Sequence, residues 1–252
     1  MSSDIWTRCA GRSEIRPLSL RAWRVVESQH QVSTRKLVDT LEEQAMLEAL
    51  IDGAKPPDST RGRQHYLLFT PFRYPPLRHG SRFGDRNRRG IWYGAESVPT
   101  AMAEVAYYRL VFLEGTAAMP DRVAVELSAF VVRVRTDHGV DLVVAPFDAH
   151  RPAIASPSRY DATQALGAAM REDGVEMCRY PSARDPRGGV NVAAFTAHVF
   201  GRSAPRDFQR WQCVASRARV EMTRRDYTAR ESLIYERAVF VVDGRLPMPA
   251  IN

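Results

Sequence analysis

Three stretches of this sequence carry side chains whose types and spacing could do chemistry. The first, VPTAMAEVAYYRLVFL at 98–113, is apolar nearly all round, with Glu104 and Arg109 its only charged members. The pattern predicts a mostly buried helix, with Pro99 near the first turn where a missing N–H costs nothing. On a helical wheel Glu104 falls between Val111 and Tyr108, beside the main apolar face, where an unpaired carboxylate is costly. Its separation from Arg109 misses the i,i+3 and i,i+4 spacings of a surface ion pair. A structural ion pair with another residue and a catalytic role both fit such a carboxylate.

The second stretch, RHGSRFGDRNRRGIWYG at 78–94, sets Arg78, Arg82, Arg86, Arg88 and Arg89 among glycines, ahead of Trp92 and Tyr93. Glycines let a backbone approach a phosphate and arginines neutralise it. Neither GxxxxGK[ST] nor GxGxxG is present, so a solvated basic loop reads as well as a phosphate site. The third, RYPSARDPRGGVNVAAF at 179–195, puts Ser182 and Arg184 in a turn before Gly188, Gly189 and Asn191. Its small polar residues suit ligand hydrogen bonds, or simply the turn itself. Ser182 lacks the GxSxG elbow of a serine hydrolase.

The elements that must position these groups follow from the hydrophobic pattern. Helices are expected at 33–51 and 161–172 besides 98–113, and strands at 66–69, 91–94, 123–134 and 140–144. Further strands are expected in GVEMCRY, NVAAFTAHVF, WQCVASRARVEM and SLIYERAVFVV, which fill the C-terminal third. Strands outnumber helices without βα alternation, which favours a mixed α+β domain with a largely antiparallel sheet. The Pro- and Gly-rich stretch KPPDSTRGR at 55–63 suggests a boundary. Residues 1–60 are then an N-terminal helical extension and 61–252 the main domain.

Composition narrows the class. With 252 residues, 44% hydrophobic and 26% charged, the chain is of ordinary globular make-up. It holds no apolar run long enough to span a membrane and no signal-peptide core at the start, so a cytoplasmic protein is expected. Cys9, Cys178 and Cys213 are widely spaced and form no CxxC pair, so no metal site is expected. The net charge is +7, and all but Lys36 and Lys55 of the 36 basic residues are arginine. That charge suits an anionic partner: a nucleotide, a nucleic acid or an acidic protein.

Taken together, the three stretches resemble the RES-domain toxins of bacterial RES–Xre toxin–antitoxin pairs. GSRFGDRNRRGIWYGAESVPTAMAEVAYYR is similar to the family's R-F…G…W/Y-Y…S…T-A-x-A-E pattern, and YPSAR…GGVNVAAF to its Y-P-S-A-R…G-x-N…F pattern. The resemblance spans about residues 66–200. On it Arg82, Glu104 and Ser182 take the family's eponymous catalytic positions. Tyr93 and Asn191 accompany them as NAD-binding residues, and Arg73 is a candidate second arginine. The resemblance implies an ADP-ribosyltransferase-like fold, NAD as substrate without a metal, cleavage of the nicotinamide–ribose bond, and an Xre-type antitoxin as partner. Phosphate, water or a protein are all open as acceptor of the ADP-ribose. Arg82→Ala is expected to weaken NAD binding more than it alters the fold, as a solvated loop arginine is rarely structural.

Two other readings stay open. A basic nucleic-acid-binding module would use the arginine-rich loop, although no helix-turn-helix, zinc-finger or RNA-recognition signature is present. A catalytically silent partner of an acidic antitoxin would need only the positive charge.

Overall fold

The fold is described from a computed structural model, which covers residues 4–28, 65–73, 80–116, 121–226 and 231–248, with isolated positions 40, 42, 43, 46 and 50. The helix expected at 33–51 and the boundary at 55–63 fall almost wholly outside the described residues.

Eight strands form one sheet: β1 (Arg16–Glu27), β2 (Trp92–Ala95), β3 (Arg122–Asp141), β4 (Met177–Pro181), β5 (Val190–Ala194), β6 (Arg206–Ser216), β7 (Arg219–Arg224) and β8 (Ser232–Glu236). Their order is β1-β2-β5-β4-β3-β6-β7-β8, with β1 pairing β3 as well. The extra pairing closes β1, β2, β5, β4 and β3 into a ring. Every pairing is antiparallel except β3 with β4. The architecture is therefore mixed α+β with a largely antiparallel sheet.

β3 organises the sheet because its length lets it serve three neighbours. β1 runs beside it from Arg16 opposite Gly139 to Glu27 opposite Leu127, β6 pairs with its first half, and β4 with its last three residues. Leu127–Val132 is continuously buried within it, the signature of a strand covered on both faces. The two strands expected at 123–134 and 140–144 are one element through Asp141.

β1 lies within residues 1–60, where the sequence suggested a helical extension. Its inward residues Leu18, Leu20 and Ala22 alternate with polar ones, and they pack into the core formed with Phe130, Val132 and Val192. YLLF, expected as a strand, begins helix α1 (Tyr66–Arg73) instead. A four-residue apolar run carries no decisive period. Here Leu68 is fully buried as a plug in the same core, beside Trp92 and Phe200.

α2 (Val98–Glu114) packs on β6, β7 and β8 through Ala103, Tyr107 and Leu110. α3 (Asp161–Glu172) covers β4 and β5 through Leu166 and Met170. No described helix is long and apolar enough to cross a membrane.

Candidate functional site

α2 starts where the sequence predicts. The Ser97 side chain accepts the Thr100 N–H as N-cap, Pro99 occupies the first turn, and nine of the helix's residues are buried. Arg109 points away from Glu104 and pairs with Glu27 of β1 at 2.8 Å. Among the described residues no cation pairs with Glu104, so a structural ion pair does not account for it.

Two neutral donors hold Glu104 instead. Its Oε1 accepts from Ser182 Oγ at 2.8 Å and from Asn191 Nδ2 at 2.6 Å. No described residue donates to Oε2. The geometry of Ser182 explains its donor role. Its Oγ already accepts the backbone N–H groups of Arg184 at 3.1 Å and Asp185 at 3.0 Å, so its proton is left for the carboxylate. The turn is tied to α2 a second time, where Thr100 Oγ1 donates to Asp185 Oδ2 at 2.8 Å. Gly189 is required at this crossing, because a Cβ there would come within 2.1 Å of Thr100 Oγ1. Asn191 is brought to the same point by β5, opposite Tyr180 of β4 and Ala95 of β2.

Arg82 is not a solvated loop residue. It is 7% exposed, Nη1 donates to the carbonyls of Ile154 and Ser156 at 2.9 and 3.0 Å, and the guanidinium lies 4.7 Å from the Tyr160 ring centroid. The short bridge between Ser81 and Gly84 presents it. Tyr93 holds that bridge: its hydroxyl shares a hydrogen bond with Ser81 Oγ at 2.9 Å and accepts the Phe83 N–H at 3.2 Å. Burial pushes the Tyr93 hydroxyl up to about 12, so it stays protonated.

Arg82, Tyr93, Glu104 and Asn191 line one cavity of about 310 Å³, a volume suited to part of a nucleotide-sized ligand. Ser182 reaches it through Glu104. Arg73 is not among its lining residues; it ends α1, which contacts β2 and the Ala197–Phe200 turn. Four tyrosines surround the space: Tyr93, Tyr108, Tyr160 and Tyr180. Burial, with the Glu104 charge adding to it, raises the Tyr180 hydroxyl well above its usual range. Tyr108 is raised in the same direction, first by burial of its hydroxyl, although half of the residue is exposed.

Tyr160, Tyr180 and the β1 residues Trp23 and Arg24 also line the cavity and are not among the site residues expected from sequence. Tyr180 stands inside the quoted YPSAR stretch and was legible there. Trp23 and Arg24 carried no local signal of a site.

Among the described residues no group of three or more His, Cys, Asp or Glu is placed to hold a metal ion. No curated protein matches the chain. Among solved structures, the crystal structure of the M. tuberculosis MbcT–MbcA toxin-antitoxin complex is similar, with a TM-score of 0.47 and 17% identity, over 81% of this chain and 90% of that one. A family model, the RES domain, matches residues 56–216, a span that holds the whole Glu104, Ser182 and Asn191 constellation. The chain belongs to the RES-domain family.

Proposed function

We propose that the cavity binds NAD and that Glu104 promotes cleavage of the nicotinamide–ribose bond, with transfer of ADP-ribose to phosphate, water or a protein. The observation that carries this reading is a carboxylate with one oxygen held by two neutral donors, and with neither a donor to the other oxygen nor an ion-pair partner among the described residues. When the C1′–N bond breaks, its electron pair leaves with the pyridinium nitrogen, and nicotinamide departs neutral without a general acid. The positive charge that develops on the ribose is met by a carboxylate already oriented, as in glycoside cleavage. Ser182 and Asn191 are positioning residues in this scheme, and Arg82 offers the N–H groups that Ile154 and Ser156 do not take. The cavity tyrosines present hydroxyls and ring faces to the dinucleotide.

The test is nicotinamide release from NAD by the pure protein, with and without phosphate, followed by identification of the ADP-ribosyl product. Wild-type turnover that disappears in Glu104→Gln supports the reading; absence of turnover, or equal turnover in the variant, overturns it. Family membership also makes an Xre-type antitoxin the proposed partner, in the cytoplasm. Expression of the wild-type chain is then expected to arrest growth, and co-expression of an Xre-type antitoxin to relieve that arrest.

A further inference from the structure

We propose that Arg184 is a positioning residue: its guanidinium, stacked on Tyr107 of α2, fixes the turn that carries Ser182 so that the hydroxyl meets Glu104. The catalytic consequence rests on the reading of Glu104 above; the contact itself does not.

Thr100, Glu104 and Tyr107 recur at helical spacing and share one face of α2. The turn after β4 meets that face at all three positions. Asp185 accepts from Thr100 Oγ1 at 2.8 Å, Ser182 donates to Glu104 at 2.8 Å, and the Arg184 guanidinium carbon lies 3.5 Å from the Tyr107 ring centroid. The first and third contacts bracket the second, one helical turn to either side. Arg184 also donates its backbone N–H to Ser182 Oγ at 3.1 Å, so one residue grips the serine at one end and the helix at the other.

Arg184 is 3% exposed and is not among the residues lining the cavity, so its role is not to hold a ligand there. Its Nη2 donates to the Pro157 carbonyl at 2.8 Å, Nη1 is enclosed without a hydrogen-bond partner, and among the described residues no carboxylate pairs with it. A neutral side chain of similar volume would pack there at a lower desolvation cost. What the arginine adds is direction, because its cation is drawn to the face of a ring while its planar fork reaches a carbonyl. The ring is itself fixed. Tyr107 donates to the Pro247 carbonyl at 2.5 Å, and Phe240 packs with its ring centroid 6.0 Å away. Burial, opposed by the Arg184 charge, pushes the Tyr107 hydroxyl up to about 12, so it stays a donor. Phe240 and Pro247 lie beyond the span that the family model matches, so the C-terminal segment backs the contact.

The test is a double-mutant cycle of Arg184→Met with Ser182→Ala, read by kcat and KM for nicotinamide release. Arg184→Met, close in volume, should lower kcat by about tenfold or more while moving KM by no more than about twofold. Added to Ser182→Ala it should cost no further activity, because a residue acting through Ser182 then has nothing left to position. An arginine that only fills space would lower the unfolding midpoint and leave kcat of the folded protein unchanged. Arg184→Lys, which keeps the cation and loses the fork, should regain part of the lost kcat. Wild-type kcat in Arg184→Met, or losses that add in the double variant, overturns the proposal. If Arg184→Met does not fold, Arg184→Lys enters the same cycle under the same criteria. A crystal structure of Arg184→Met separates this proposal from the NAD reading. In a protein that releases no nicotinamide, a Ser182–Glu104 separation beyond hydrogen-bond reach in the variant keeps the positioning role and sinks the NAD reading; a bond of wild-type length sinks the positioning role.

Discussion

Ser182 donates its hydroxyl proton to Oε1 of Glu104 at 2.8 Å, joining a turn and a helix that stand 78 positions apart. Both backbone N–H groups that reach Ser182 Oγ force that direction. Ser182→Ala therefore removes an acceptor from two buried N–H groups and a donor from the carboxylate. We expect a stability loss of about 1–3 kcal/mol, read by denaturant unfolding, and a fall in kcat for nicotinamide release larger than any rise in KM. Wild-type kcat in the variant would remove Ser182 from the positioning of Glu104.

Asn191→Asp places a second carboxyl where Nδ2 now lies 2.6 Å from Glu104. Two carboxylates that close cannot both ionise easily and will share a proton. At neutral pH activity should drop by about tenfold or more, the order of one charge-assisted hydrogen bond lost. It should recover as pH falls, because a protonated Asp donates as the amide did. A variant with the wild-type pH profile contradicts the geometry.

Arg82→Ala should lower stability by about 2–4 kcal/mol, since it strips the buried carbonyls of Ile154 and Ser156 of their donor and leaves a void on Tyr160. This reverses the expectation from sequence that only ligand binding would suffer. Equilibrium unfolding decides it: an unchanged midpoint would return Arg82 to a purely ligand-binding role.

The hydroxyl of Tyr93 is pushed up to about 12 by burial, above its usual value near 10. Because the folded state holds this proton more tightly, its contribution is fully present below pH 10 and is lost as pH rises through about 12. Alkaline unfolding should steepen across that window, and Tyr93→Phe should flatten it. The same substitution frees the Phe83 N–H and Ser81, so it should cost about 1 kcal/mol at neutral pH. An identical alkaline profile in Tyr93→Phe would assign the titration elsewhere.

Much of this protein was legible residue by residue. The helix at 98–113 shows in its nearly all-apolar composition and its early Pro99, and the one at 161–172 in its spacing. Glu104 stood out because a charge on a greasy helix demands an explanation. The strands after residue 174 show in their apolar runs, while YLLF was too short for periodicity to separate strand from helix.

Which donor meets which acceptor was decided by the tertiary structure. The order of types around Arg82, Tyr93, Glu104, Ser182 and Asn191 identified the family, yet their division of labour depends on contacts between elements far apart in the chain. Arg82 became buried because the Ile154 and Ser156 carbonyls close over it, and Arg24 entered the cavity because β1 pairs beside β3. Local sequence encodes backbone preference and the pattern of faces. Partners of buried polar groups are set only when strands find their register and helices dock, because each such group must then be satisfied by whatever the packing brings within reach.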